Sequence, residues 1–202
     1  MHQLHTPRHL WWHPLAVIAA ALLALPAPAA AQGMHSFASS IAADPADELR
    51  ARHLLIPVEG VTAAQLRDTY SSARSGGRVH DAIDIHAPRG TPVRATADGT
   101  IRKLHSGERG GLSLYQMDDD GRTRYYYAHL DQYAEGITEG RRVHRGDVIG
   151  YVGDTGNAQP GDYHLHFSIA ILDHASRWWE GTNVNPYDVL ARAPSRMAHR
   201  GQ

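Results

Sequence analysis

Clusters of imidazole and carboxylate side chains occur in this chain at spacings that suit metal binding and proton transfer. In Tyr163-His164-Leu165-His166-Phe167-Ser168-Ile169-Ala170-Ile171 a strand places alternate side chains on opposite faces. Tyr163, Leu165, Phe167, Ile169 and Ile171 then form an apolar face, while His164, His166 and Ser168 share the other. By itself such a His-x-His pair is either a ligand pair or two solvated rings. A second cluster is Arg78-Val79-His80-Asp81-Ala82-Ile83-Asp84-Ile85-His86. If extended, it turns Val79, Ile83 and Ile85 inward and puts His80, Ala82, Asp84 and His86 on one face, with Asp81 breaking the pattern. Imidazole and carboxylate together suit zinc, which in catalytic sites commonly takes three protein ligands and leaves a position for water. The plain alternative is an exposed His-Asp pair worth under about 1 kcal/mol. In Arg124-Tyr125-Tyr126-Tyr127-Ala128-His129-Leu130 alternation sends Tyr125, Tyr127 and His129 one way and Tyr126, Ala128 and Leu130 the other. A lone histidine there gains weight only beside the other clusters.

Composition narrows the chemistry. The 202 residues include 15 histidines beside 20 lysines and arginines, and imidazole is the side chain most used for metal binding near neutral pH. Cysteine is absent, which excludes disulfides, thiolate ligands and a cysteine nucleophile, so any metal is held by nitrogen and oxygen. With 21 acids the formal charge is -1, which gives no electrostatic reason to expect a nucleic acid or an acidic membrane surface as partner. There is no His-Glu-x-x-His helix, Gly-x-Ser-x-Gly elbow, lysine-bearing phosphate loop or calcium loop. The carboxylates of Asp118, Asp119 and Asp120 could hold a cation, but a solvated turn is the expectation there.

The elements that must position these groups are mostly strands. Short apolar or alternating runs punctuated by glycine and proline predict strands over 83–85, 92–97, 100–105, 112–118, 123–130, 148–153 and 163–172. The fold class expected is mainly β, an antiparallel sandwich or barrel-like sheet with few short helices. Helices are predicted over 46–53, 63–70 and 186–193, the last capped by Asn185 with Pro186 in its first turn. Asp118-Asp119-Asp120-Gly121 reads as a hairpin turn with Gly121 free to take positive φ.

The amino-terminal region reads differently. Residues 1–14 hold Arg8 and no acid, residues 15–25 are an uninterrupted apolar run, and Ala29-Ala30-Ala31 follows. This predicts a signal peptide over 1–31, since the run falls well short of the roughly 20 residues that cross a bilayer. The alternative is an uncleaved membrane tether. Residues 32–53 read as a linker rich in Ala, Ser and Asp, residues 54–195 as one folded domain and 196–202 as a tail. The expected product is exported to the periplasm or beyond the cell, without stable membrane insertion after cleavage, and monomeric.

Taken together, His80-Asp81-Ala82-Ile83-Asp84 with the following Ile85-His86-Ala87-Pro88-Arg89-Gly90-Thr91-Pro92-Val93, then Tyr127-Ala128-His129-Leu130, then Gly146-Asp147-Val148-Ile149-Gly150-Tyr151-Val152-Gly153-Asp154-Thr155-Gly156, and last His164-Leu165-His166-Phe167 resemble the lysostaphin-type zinc metallopeptidases. The resemblance spans about residues 57–190. It implies the duplicated hybrid motif fold and a secreted endopeptidase acting on stem peptides or cross-links of bacterial peptidoglycan. It also implies one Zn2+ per chain held by His80, Asp84 and His166, with His129 and His164 as catalytic histidines. This sequence departs from the family at Ala82, where glycine is usual, and at His86, where a small residue is usual. Relatives of this kind can also lose ligands and activate other wall hydrolases by binding them, so a noncatalytic binder is the alternative. All five matching positions here carry competent side chains, which favours the enzyme. Trp178-Trp179 either contact glycan or cover the sheet.

Overall fold

A computed structural model describes residues 44–173 and 177–191. The predicted signal peptide, residues 32–43 of the linker, residues 192–195 and the tail lie outside the described residues. Among the described residues no helix is long and apolar enough to cross a membrane.

Over the described residues the chain is mainly β and antiparallel, with two short α-helices. In order the elements are α1 (Pro45–Ala51), β1 (Ala73–Arg74), β2 (Arg78–Val79), β3 (Ile83–His86), β4 (Pro92–Arg94), β5 (Gly99–Gly107), β6 (Gly111–Asp118), β7 (Thr123–Tyr133), β8 (Arg142–Val143), β9 (Val148–Val152), β10 (His164–Ile171), β11 (Thr182–Val184) and α2 (Pro186–Leu190). The main sheet runs β11-β10-β7-β6-β5-β8, with β3 added to β10, and β9 to β7 and β4. β1 and β2 form a separate small hairpin.

Strand β7 organises the sheet by changing partners. Residues 123–128 pair with β10, whereas Leu130, Gln132 and Tyr133 pair with β9. The change falls at His129, whose backbone sits in the left-handed region at φ 60°. Irregular register with both β6 and β9 at this place marks a bend that re-aims the strand. On one side of it Tyr125 and Tyr127 enter the core. Tyr125 stacks on Phe167 at 6.4 Å and Tyr127 tilts against it at 5.2 Å. Their hydroxyls are buried with partners. The Tyr127 hydroxyl donates to Gln116 Oε1 and accepts from Thr96 N, and the Tyr125 hydroxyl donates to Asp118. Leu114, Ile83, Leu165, Ile169, Ile101 and Ile149 complete the centre of the core.

Helix α2 begins as predicted, with the Asn185 side chain accepting from Tyr187 N and proline in the first turn. Helix α1, capped by Asp44, inserts Leu49 into the core. The helix predicted over 63–70 is not formed. A 3-10 turn covers Ala63–Gln65, and Leu66 is extended at φ -67°, ψ 147°. Tertiary demands win here, because Thr69 and Tyr70 use their backbone or hydroxyl groups to brace other segments: the Thr69 hydroxyl accepts from Asp84 N and the Tyr70 carbonyl from Asp81 N. Strand β4 also stops at Arg94, three residues short of the predicted end. Ala95 and Thr96 instead donate their N–H groups to Asp147 O and the Tyr127 hydroxyl.

Candidate metal centre and active site

The site is built on the β3–β10 ladder, whose register sets His166 opposite Asp84 and His164 opposite His86. Leu165 and Phe167 point into the core between them. The alternation expected for β10 therefore holds. His80 reaches the same place by another route. Its N–H is held by Ser72 O and that of Asp81 by Tyr70 O, and Asp81 turns the chain at φ 56°. The segment is thus not one continuous strand, and Ala82, expected on the histidine face, is wholly buried. The turn swings His80 over Asp84, with Nε2 3.0 Å from Oδ1.

Three potential ligand atoms converge: His80 Nε2, Asp84 Oδ1 and His166 Nδ1. They are separated by 2.9 Å between the two imidazoles and by 3.0 and 3.2 Å to the carboxylate. Two atoms each about 2.0–2.1 Å from one ion, at a tetrahedral angle, lie about 3.3 Å apart, so this set fits a metal with little adjustment. The surrounding contacts support the same reading. His80 Nδ1–H donates to Thr69 O at 2.9 Å, which fixes the tautomer and leaves Nε2 with its lone pair. Arg74 donates to Asp84 Oδ2 at 2.6 Å, leaving Oδ1 to face the imidazoles. Burial works against ionisation of Asp84, yet the facing His166 and His80 imidazoles prevail and hold its carboxyl far below the usual carboxylate range. Burial lowers the pKa of His166, which keeps that ring neutral and able to coordinate.

Beside this group stand His129 and His164, ring centroids 4.9 Å apart. Simple alternation would have sent His129 into the core with Tyr125 and Tyr127. The left-handed residue at the bend turns it instead into the cleft, alongside Tyr126 and Ala128. Such backbone strain in a non-glycine residue persists only where surrounding contacts over-determine it. Here Gly110 O accepts from His129 N, and Thr155 O accepts from His129 Nδ1 at 2.7 Å. Thr155 is in turn clamped, its hydroxyl accepting from Leu112 N and donating to Leu130 O. The clamp needs glycine on both sides: a Cβ on Gly156 would lie 2.2 Å from Gly111 N, and one on Gly111 2.2 Å from the Thr155 hydroxyl. Burial pushes the His129 pKa down to about 4, so the ring is neutral at pH 7 with Nδ1 protonated and Nε2 an acceptor. His164 is anchored similarly, its Nδ1 2.7 Å from Asp162 O and its Nε2 3.8 Å from Asp84 Oδ1.

All five residues line an open cleft of about 430 Å³, walled also by Tyr126, Arg109 and residues 157–159. Burial raises the Tyr126 pKa to about 12, so its hydroxyl remains a neutral donor. Tyr125 and Tyr127 are core and line no part of the cleft wall given above. The solvated turn expected at 118–120 holds for Asp119 and Asp120, which are exposed, but not for Asp118, whose carboxylate is buried between the Tyr125 hydroxyl and the Arg52 guanidinium. Trp178 lies edge-on to Tyr115 and under the Arg102 guanidinium, covering the sheet, while Trp179 protrudes. Thr69, Arg74 and the Asp162 carbonyl escaped sequence reasoning, since they act through loops that no periodicity marks. Thr155 lies within the glycine-rich segment 153–156, and only that segment hinted at it.

Among curated proteins the chain is similar to an L-Ala–D-Glu endopeptidase of Bacillus subtilis, 34% identical over 131 residues, covering 61% of this chain and 39% of that protein. It is also similar to the DD-carboxypeptidase/endopeptidase Mpg of Neisseria meningitidis, 37% identical over 118 residues, covering 58% of this chain and 24% of that protein. The match therefore spans well under half the length of either relative. Among solved structures it resembles the catalytic domain of the antimicrobial peptidase lysostaphin from Staphylococcus simulans, with TM-score 0.53 and 28% identity over 63% of this chain and 92% of that one. The model of Peptidase family M23 matches residues 78–186, more than half of the chain and the stretch that carries every converging histidine and Asp84. This chain belongs to peptidase family M23.

Proposed function

We propose that the chain is an exported zinc metalloendopeptidase that hydrolyses peptide bonds in bacterial peptidoglycan. The observation that carries the reading is the convergence of His80 Nε2, Asp84 Oδ1 and His166 Nδ1 at one point of a cleft rimmed by two anchored imidazoles. Zinc is the metal that a two-nitrogen, one-oxygen tetrahedral set favours. The names of the Bacillus and Neisseria relatives support a cell-wall peptide as substrate. A noncatalytic binding role is disfavoured because no ligand or catalytic position is lost. The catalytic domain, expected over 54–195, is taken to begin earlier, at α1, whose Leu49 packs in its core; residues 1–31 are the proposed export signal, the part of 32–53 before α1 a linker and 196–202 a tail, and the expected state is a monomer.

When bound, the metal supplies Lewis-acid polarisation of the scissile carbonyl and acidification of a water. The chain supplies the proton traffic. His129, neutral and with Nδ1–H committed to Thr155 O, offers Nε2 as the acceptor for the proton of the attacking water. The imidazolium so formed can pass that proton to the leaving amine. His164, anchored through Nδ1, presents Nε2 beside Asp84 and towards the developing oxyanion. Tyr126 adds a neutral hydroxyl within the cleft.

The test is mass spectrometry of muropeptides released when zinc-loaded protein is incubated with purified sacculi. New amino termini within the stem peptides or cross-links are expected. Intact muropeptides, with stoichiometric zinc in the protein, would refute the enzymatic reading.

A further inference from the structure

The β3–β10 ladder carries a second group of converging donors that the proposed reaction leaves unused in part. Opposite His164 in the register stands His86, their ring centroids 5.3 Å apart and their planes tilted by 34°. Asp162, at the end of the loop leading into β10, brings Oδ1 to 3.2 Å from His86 Nε2. One potential ligand atom from each of His86, Asp162 and His164 lies within 4.8 Å of the other two. Two of these residues are already accounted for: the Asp162 carbonyl anchors His164, and His164 belongs to the proposed proton machinery. His86 has no such duty, and it stands where the resemblance leads one to expect a small residue.

We infer that His86, Asp162 and His164 form a second, weaker site for a late first-row divalent cation, and that filling it switches the peptidase off. Two imidazoles with one carboxylate select zinc, copper or nickel over calcium and magnesium, which prefer all-oxygen shells. Exposure sets the order of affinity. The side chains of His80, Asp84 and His166 are 1%, 14% and 21% exposed and held by neighbours, whereas those of His86 and Asp162 are 60% and 51% exposed. Ordering two exposed side chains costs conformational entropy that the first site has already lost in folding. The second site is therefore the one that fills last and empties first.

Inhibition follows whichever ring nitrogen of His164 is used. Coordination through Nε2 occupies the atom that faces Asp84 and the cleft. Coordination through Nδ1 displaces its proton and breaks the 2.7 Å anchor to the Asp162 carbonyl, so that the ring loses its orientation. In both cases His164 is withdrawn from the reaction. This half of the inference rests on the proposed role of His164; the binding half rests on the donor geometry alone.

The experiment titrates metal into the full chain and into His86→Ala, whose altered side chain is exposed and outside the proposed machinery. Bound zinc is counted by competition with a chromogenic chelator, and turnover on purified sacculi is followed in parallel. Wild type is expected to bind two equivalents and to lose turnover as the second binds. His86→Ala is expected to bind one, to match wild-type turnover at one equivalent, and to need at least about tenfold more zinc for half-inhibition, the loss expected when even an outer-shell partner is removed. Asp162→Asn should behave likewise in binding, and calcium or magnesium should add no equivalent. A second equivalent retained in His86→Ala, or only one bound by wild type, overturns the site. Equal inhibition of both proteins, with the second equivalent lost in the variant, overturns the switch. Loss of the second equivalent in a protein that never cleaves sacculi upholds the site and refutes the proposed reaction instead.

Discussion

Two aspartates on the same sheet, Asp118 buried and Asp84 half-buried, have opposite surroundings. Asp118 ends β6 and spends its carboxylate on the Tyr125 hydroxyl, on Arg52 and on the N–H of Asp120. Asp84 lies on β3, where Arg74 takes one oxygen and the other faces three imidazoles. At Asp118 every donor belongs to a group with no further valence, so the cluster is closed and structural. At Asp84 two of the neighbouring rings, His80 and His164, have Nδ1 committed to backbone carbonyls, and all three rings face an open cleft. Burial and charge are therefore poor guides to a site. What separates the two clusters is whether satisfied polar groups still have lone pairs pointing at a common, accessible point.

The strongest way to break this contrast is to remove a proposed ligand. Asp84→Ala, His80→Ala and His166→Ala should each lower bound zinc, read by elemental analysis, and abolish release of wall fragments. Full occupancy in all three would remove the ligand assignment. Next, His129→Ala and His164→Ala should keep most of the metal yet lose on the order of 10²-fold or more in turnover, the usual scale for a positioned acid–base or oxyanion donor. Normal turnover in His129→Ala would show that its turned backbone serves packing alone.

The clamp behind His129 predicts a smaller effect. Gly156→Ala forces a Cβ against Gly111 N at a residue with φ 81°, so the Thr155 carbonyl must move. Turnover per folded molecule should fall about 10- to 10²-fold, the scale of an ångström misplacement, with metal content unchanged. Unchanged turnover would mean that the anchor does not position the ring.

The closed cluster should answer oppositely. Asp118→Ala removes one of the two carboxylates paired with Arg52 and strands the buried Tyr125 hydroxyl. It should cost about 2–3 kcal/mol in denaturant unfolding, between orphaning a neutral group and stranding a charge. Zinc content and turnover per folded molecule should be unaltered. The least effect belongs to Asp120. Burial opposes its ionisation, but the Thr123 hydroxyl, the N–H groups of Arg122 and Thr123, and Arg52 together hold its carboxyl below the ordinary value. Its folded pKa is thus lower than the unfolded one of about 3.9. The stabilisation is present above about pH 4 and is lost as pH falls through the lower folded value. Asp120→Asn should flatten that acid limb of the melting curve by no more than about 1 kcal/mol, since the group is partly exposed. An unchanged limb would place the acid sensitivity elsewhere.

Local pattern was enough for much of this molecule. Alternation in 163–171 separated Leu165, Phe167 and Ile169 from His164 and His166, because a strand has a period of two and one of its faces is core. Asn185 and Pro186 marked the start of α2 through the geometry of a first helical turn. Absence of cysteine restricted any metal to nitrogen and oxygen. Local pattern failed where the chain changes direction for reasons that lie far away in sequence. Two left-handed residues, Asp81 and His129, break the alternation that would have misplaced His80 and His129. Each is held by backbone partners from another segment, Tyr70 O for Asp81 and Gly110 O for His129. The helix expected over 63–70 gave way because Thr69 is needed beneath His80 and Asp84. Residue types and strand periodicity thus determined which side chains were available and which faces they shared. Their convergence, and the closure of Asp118 against the openness of Asp84, were decided only when segments distant along the chain supplied the hydrogen bonds that hold a strained backbone and orient the His80 and His129 rings.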